Sequence, residues 1–294
     1  MAARLFHVFR NNSFGRETLL QSIYFCKKVG ASLLIYIPKH RMYSMHFKND
    51  VVKVDLDNSY FTSPIITIKH ARKLVKKMGI RARFLGPKHY STSLLPDIQP
   101  NFDFMTCPRS INDMSSKIDL DYLGPGVRRI IESARFPVLI TSSAYKEWQK
   151  IAVFFDGSAK TVNALKLGFH ISRASGIRLD VFPQMEKGSR ESYEEIIKDK
   201  NLQKEIRRRV NKWHIFEKGT FEEILFEVPN DALVIIGAYD HSFIKDIVFA
   251  SKMEEIPSIF PDNLLIAGPN YTEPNTSWPS WFPSLGQGNP FRVN

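Results

Sequence analysis

Two stretches of this chain follow the same order of elements. Val8-Phe9-Arg10-Asn11-Asn12-Ser13 aligns with Val153-Phe154-Phe155-Asp156-Gly157-Ser158 at an offset of 145. Without a gap, the same offset pairs Leu20 with Leu165, Leu34 with Leu179 and Pro38 with Pro183. Each stretch reads as apolar strand, polar turn, amphipathic helix, apolar strand and Pro. A repeat this long implies a duplicated domain rather than a solenoid unit. A length of 294 residues suits two domains of ordinary size. The expected division is 1–144, 145–268 and a tail at 269–294, with Ser142–Glu147 as the join.

Alternating strands and helices fill both parts. In the second, Lys150–Phe155 is a buried strand and Asp156-Gly157-Ser158 a turn, with Ser158 or Thr161 placed to cap a helix ending before Gly176. Leu179–Phe182 is the next strand. Glu191–Lys212 reads as one charged helix, followed by a strand near Trp213–Phe216. Ala232–Ile236 is a continuous apolar run, as expected for a strand buried on both faces. A helix near Lys245–Ile256 and a strand at Asn263–Ala267 close the part. The first part reads likewise: strands at Leu5–Phe9, Ser32–Ile37, Arg81–Leu85, Asp103–Thr106 and Pro137–Thr141, and helices at Glu17–Lys28, Ile66–Met78 and Val127–Ser133. Lys39–Pro64 reads as long and irregular. The fold class is therefore α/β: two tandem doubly wound, mostly parallel five-stranded sheets with helices on both faces.

Charge divides the chain. Residues 1–144 carry 22 Lys and Arg against 10 Asp and Glu, so the surplus of the whole chain belongs to the first part. Much of it lies between Lys69 and Arg83. A positive face favours polyanions or an acidic partner, but aromatic residues do not interleave with these charges. The simplest account is a solvated helix face, and nucleic acid is not an expected partner. Cys26 and Cys107 are too few for a disulfide framework, so a reducing cytoplasm is expected. No apolar run is long enough to span a bilayer.

Together these residues resemble the universal stress protein family in its tandem form. The resemblance rests on Lys150–Ser158, on Lys218-Gly219-Thr220-Phe221-Glu222-Glu223-Ile224-Leu225, on Asp231–Gly237, and on Arg135-Phe136-Pro137-Val138-Leu139-Ile140. It implies a Rossmann-like core and an internal pseudo-dimer, monomeric or paired as a homodimer, since members often dimerise through the last strand. ATP-binding members carry a loop of pattern G-x2-G-x9-G-[ST], whose glycines let backbone N–H groups approach phosphate beside a helix N-terminus. In this sequence Gly237 matches the first glycine, Asp240 stands at the second, Ala250 at the third and Ser251 at the hydroxyl position. Asp156 matches the ribose-binding Asp. Gly157 and Val181 fall in the same implied site. Asp240 opposes phosphate: like charges about 4 Å apart repel by about 1 kcal/mol in water and about 4 at an effective dielectric of about 20. In the first part Asn11 aligns with the ribose Asp, Cys107-Pro108 falls near the first glycine, and Pro125 lacks an N–H.

No metal-ligand spacing, nucleophile elbow or Walker loop is present. The expectation is a non-enzymatic accessory module with degenerate sites. One alternative is an adenine-nucleotide sensor taking ATP, ADP or AMP in the second part. Another is a scaffold docked through the basic first part and the tail, whose Trp278, Trp281, Phe282 and Phe291 suit either folding back or anchoring a protein partner.

Overall fold

The computed structural model describes residues 3–48, 50–86, 89–90, 95–109, 111, 123–142, 144–183, 190–214, 227–237 and 263–273. In the first half, β1 (Arg4–Val8), α1 (Ser13–Val29) and β2 (Ser32–Tyr36) lead into β3 (Met42–His46) and β4 (Val51–Asp55). Then come a 3-10 turn at Asn58–Tyr60, α2 (Pro64–Lys77), β5 (Ala82–Leu85), β6 (His89–Tyr90), β7 (Pro96–Ile98), β8 (Phe104–Pro108), α3 (Pro125–Ser133) and β9 (Val138–Thr141). The second half contains β10 (Lys150–Phe155), α4 (Ala159–Ser175), β11 (Leu179–Pro183), α5 (Arg190–Asp199), α6 (Gln203–Arg209), β12 (Val210–Trp213), β13 (Ala232–Gly237) and β14 (Asn263–Ala267).

Ten strands form one sheet in the order β12-β11-β10-β13-β14-β9-β8-β1-β2-β5. Each half runs third, second, first, fourth, fifth, all parallel, which needs the helical crossovers seen. The halves meet where β9 and β14 pair antiparallel, Val138 with Ile266 and Ile140 with Leu264. The expected two sheets are thus joined edge to edge.

Strand parity and helix caps fix how the halves correspond. Asn12 and Ser158 are the N-caps of α1 and α4, and Gly30 and Gly176 end these helices in the left-handed conformation. Phe9 and Phe155 are both buried in one core layer, as are Leu33 and Leu179. Every one of these pairs is 146 residues apart, one more than the sequence alignment gives. The difference is physical, because a slip of one residue moves each strand side chain to the opposite face. At the shorter offset His7, which contacts α1, would match Ala152, which lies in the other layer.

One layer holds α1, α2, α4, α5 and α6. Leu19, Ile23 and Phe25 of α1 pack with Leu165, Leu167 and Ile171 of α4 in a single cluster. The opposite layer departs from expectation in the first half. There α3 shares the face with a four-stranded sheet of order β4-β3-β7-β6. Tyr43, Met45, Val52, Val54 and Ile98 of this small sheet are buried against Phe6, Leu34 and Met105. The stretch expected to be irregular is therefore largely a hairpin: Val51–Asp55 alternates exposed and buried in period two. The single helix expected over Glu191–Lys212 is two, broken at Asn201 with φ 55° and ended by the start of β12.

The join is strapped to α1. Tyr145 N donates to Glu17 (2.9 Å), Lys146 N to Gln21 (3.2 Å), and the Tyr24 hydroxyl to the Trp148 carbonyl (2.7 Å). Trp148 is fully buried, edge-on to Tyr24 at 5.7 Å. After β14, residues 268–273 touch both halves, Asn270 bonding the Glu132 carbonyl of α3 and Glu273 pairing with Lys166 of α4. Gly268 passes so close to α3 that a Cβ would lie 2.0 Å from the Ile131 carbonyl oxygen. The remainder of the tail, Trp278 to Phe291 included, lies outside the described residues.

Candidate functional site

The site of the second half is built around the first turn of α4. Asp156 directly follows β10, and its Oδ1 accepts from Ser158 N (2.8 Å) and from the Thr161 hydroxyl (2.6 Å). The Ser158 hydroxyl in turn accepts from Thr161 N at 3.3 Å, capping the helix. This ring of short side chains holds the carboxylate still at a helix N-terminus, where its charge suits the dipole. Asp156 is exposed, and its Oδ2 has no partner among the described residues. Gly157 has φ 85°, and a Cβ there would lie 2.8 Å from Ile196 Cδ1. Only glycine turns the chain there without strain while α5 packs over it. Gly237, at the end of β13, backs onto the same helix turn: a Cβ would meet the Lys160 carbonyl oxygen at 2.7 Å.

Asp156, Gly157 and Gly237 are therefore brought together. Val181 is not: its side chain is fully buried, and its carbonyl accepts from His214 N at 2.9 Å, so it offers a ligand neither. Asp240 and Ser251 lie outside the described residues, as do Gly219 and the helix expected at Lys245–Ile256.

The first half closes the matching position with its own side chains. By the structural correspondence Arg10, not Asn11, stands where Asp156 stands, because the offset is 146. The Arg10 guanidinium lies 2.6 Å from Asp57 Oδ2, bonds the Ser59 hydroxyl and covers the Tyr60 ring at 5.1 Å. Asp57 is 7% exposed and also caps the 3-10 turn through Ser59 N (2.7 Å). Gly15 allows this: a Cβ at its position would sit 1.7 Å from the Arg10 carbonyl oxygen. In the main sheet Pro108 pairs with Thr141 as Gly237 pairs with Ala267, so a ring without an N–H takes the place of the first glycine. Sequence reasoning did not single out Arg10, Asp57 or Ser59. The signal was Arg10 directly after a strand, visible only once the repeat is set by its caps.

Beneath α1 lies a second polar group that the sequence did not single out. His7 Nδ1 is 2.9 Å from the Ser22 hydroxyl, which is also 2.9 Å from the Thr106 hydroxyl and bonds the Thr18 carbonyl. Burial lowers the His7 pKa from 6.5 to about 3, so the ring is neutral. No surface reaches it, so it is a core contact. Cys26 and Cys107 are both buried free thiols whose pKa values burial raises. Cys107 lies within β8, one residue before its end, with its side chain in the core. Among the described residues no group of His, Cys, Asp and Glu could hold a metal ion, and no helix is long and apolar enough to cross a membrane.

Among solved structures, the chain is similar to a universal stress protein from Archaeoglobus fulgidus DSM 4304. The TM-score is 0.58 at 17% identity, covering 90% of this chain and 96% of that one. A functionally unknown protein from Pseudomonas aeruginosa PAO1 matches with TM-score 0.51 at 10% identity, over 92% and 93% of the two chains. A candidate universal stress protein from Pseudomonas aeruginosa UCBPP-PA14 matches with TM-score 0.51 at 9% identity, over 92% and 94%. No family model matches the sequence, and no curated protein does. At these identities the likeness is one of fold: the chain has the universal stress protein fold across nearly its whole length.

Proposed function

We propose that this is a universal stress protein acting as a non-enzymatic accessory module, with one half closed to nucleotide and the other reduced to a partial cradle. One observation carries the reading. At the position where the second half presents an exposed Asp156, the first half has Arg10 clamped to Asp57, Ser59 and Tyr60. A pair this buried is costly to open, because separating it leaves a charge without its counterion. The β9 and β14 edges pair with each other, so the chain makes within itself the dimer that the resemblance implies.

A second reading, an adenine-nucleotide sensor, is favoured by the open Oδ2 of Asp156 beside the close approach of Gly237. The two readings separate on occupancy. The protein is purified and denatured and its released small molecules analysed, and the native chain is then titrated calorimetrically with ATP, ADP and AMP. The accessory reading expects no stoichiometric nucleotide and no saturable heat at millimolar ligand. About one nucleotide per chain, lost on Asp156→Ala, would overturn it in favour of the sensor. Neither reading requires a span or a disulfide, and a cytoplasmic protein of this kind is what we propose.

A further inference from the structure

A cavity of about 350 Å³ opens between the main sheet and the small sheet of the first half. Its volume falls at the small end of ligand pockets, about 300–1,000 Å³. Leu34 of β2 forms part of its wall. Arg83 of β5 is directly opposite Leu34 in the ladder. Arg4 of β1 pairs with Ser32, two residues before Leu34, and so stands diagonal to it on the same face. Two guanidiniums therefore flank one apolar side chain. Neither has an ion-pair partner among the described residues. Across the cavity, the end of β7 and the turn after it supply Ile98, Gln99 and Asn101. Asp97 also lines the space, its Oδ1 accepting from the Ser44 hydroxyl and lying 3.1 Å from His46 Nε2, so one carboxylate stands against the two guanidiniums.

We propose that this cavity binds a small organic anion, a carboxylate or phosphate monoester carrying a compact apolar group. A guanidinium presents a planar fork of donors that matches either anion, and two of them beside an apolar wall select for a molecule with both characters. The side-chain amides of Gln99 and Asn101 add donors and acceptors at the rim. The small sheet builds the far wall, so the insertion that occupies one layer of the first half also creates this space. The site is separate from Arg10 and from Asp156, and it stands or falls independently of nucleotide binding.

The test titrates the full chain with phenyl phosphate and with benzoate, followed by calorimetry and ligand-observed NMR. Saturable binding of either probe is expected, and which of the two binds more tightly assigns the anion class. Arg83→Gln should weaken it about tenfold, as loss of one charge-assisted hydrogen bond would, and Arg4→Gln similarly. Both arginines are at least partly exposed, so the variants should keep the wild-type melting temperature; should Arg4→Gln fail to fold, Arg83→Gln carries the test. Asp156→Ala should leave binding of the probes unchanged. No saturable binding of either probe at millimolar concentration, or binding that Arg83→Gln leaves unaltered, would overturn the proposal.

Discussion

At the scale of single residues, His7 carries a consequence that its neighbours do not share. It is a titratable group fully inside the core, with no carboxylate to pay for its charge. Its folded pKa of about 3 lies below the unfolded value of 6.5. Between those values the unfolded chain binds a proton that the folded chain refuses. Stability is therefore present above the unfolded pKa and falls as pH drops through that window, by up to about 1.4 kcal/mol per pH unit. Val153 stands at the matching place in the second half, which marks valine as a residue the strand accepts. His7→Val should flatten the difference: the stability gap between wild type and variant, measured by urea denaturation, should shift in favour of the variant as pH is lowered from 7 towards 4. A gap that stays constant with pH would mean that His7 binds its proton as readily in the folded chain as in the unfolded one. Arg10 teaches the converse lesson, since a strongly hydrated charge is kept in a half-buried turn only because Asp57 and Tyr60 receive it.

Among the elements, those legible in the sequence are the ones whose pattern decides their burial. β13 reads as an unbroken apolar run and is buried at every residue. Helix α4 announces itself by its cap and stop residues, Ser158 and Gly176, whereas α1 begins at Ser13, a turn before the expected Glu17, because its cap is Asn12. The small sheet was not legible because β3 and β7 mix apolar residues with Ser, His and Asp, which read as loop, although β4 shows alternation. Part of the candidate site was legible: Asp156, Gly157 and Gly237 follow from turn chemistry and from the resemblance. The plug at Arg10 was not, since identity between Ser13 and Ser158 pulled the alignment one residue off its true register. The segment at 268–273 is a further case, bound by contacts no local pattern reveals. Its Asn270 side chain donates to the Glu132 carbonyl at 2.7 Å, Tyr271 is buried, and Glu273 lies 2.8 Å from Lys166 and 3.1 Å from His170. The His170 hydrogen bond, helped by Lys166, holds the Glu273 carboxyl at about 2 against the opposing effect of burial. A depressed carboxylate pKa stabilises above its unfolded value of 4.5, and that contribution is lost as pH falls towards 2. Amide exchange should therefore show protection at Tyr271 above pH 5 that declines below pH 4, after correction for the intrinsic exchange rate. Glu273→Ala should lower protection above the window and remove its decline below it. Equal protection in variant and wild type would show that Tyr271 alone anchors the segment.

For the whole molecule, the question is whether two halves of one topology behave as two domains. Domains in one chain usually meet through modest, rather polar interfaces and unfold with some independence. Here the boundary is a strand pair inside a continuous sheet, Leu139 opposite Leu265, both fully buried. Each core layer contains residues of both halves: Phe6, Val138, Ile266 and Phe154 lie in one, Leu19, Trp148 and Leu165 in the other. Unfolding either half alone would expose the β9 or β14 edge of the other, together with the face that α1 and α4 share. A row of unpaired strand groups in an apolar setting is costly, so intermediates with one half folded should be scarcely populated. The chain should then melt in one transition, with calorimetric and van't Hoff enthalpies equal. Trp148→Ala sharpens the test, because that side chain lies in the join and removing it should cost about 3–5 kcal/mol. If the halves are one cooperative unit, the whole transition moves to lower temperature and remains single. A split into two transitions would mean that the sheet is continuous in geometry but not in energy, and that ligand binding in one half would leave the stability of the other unchanged.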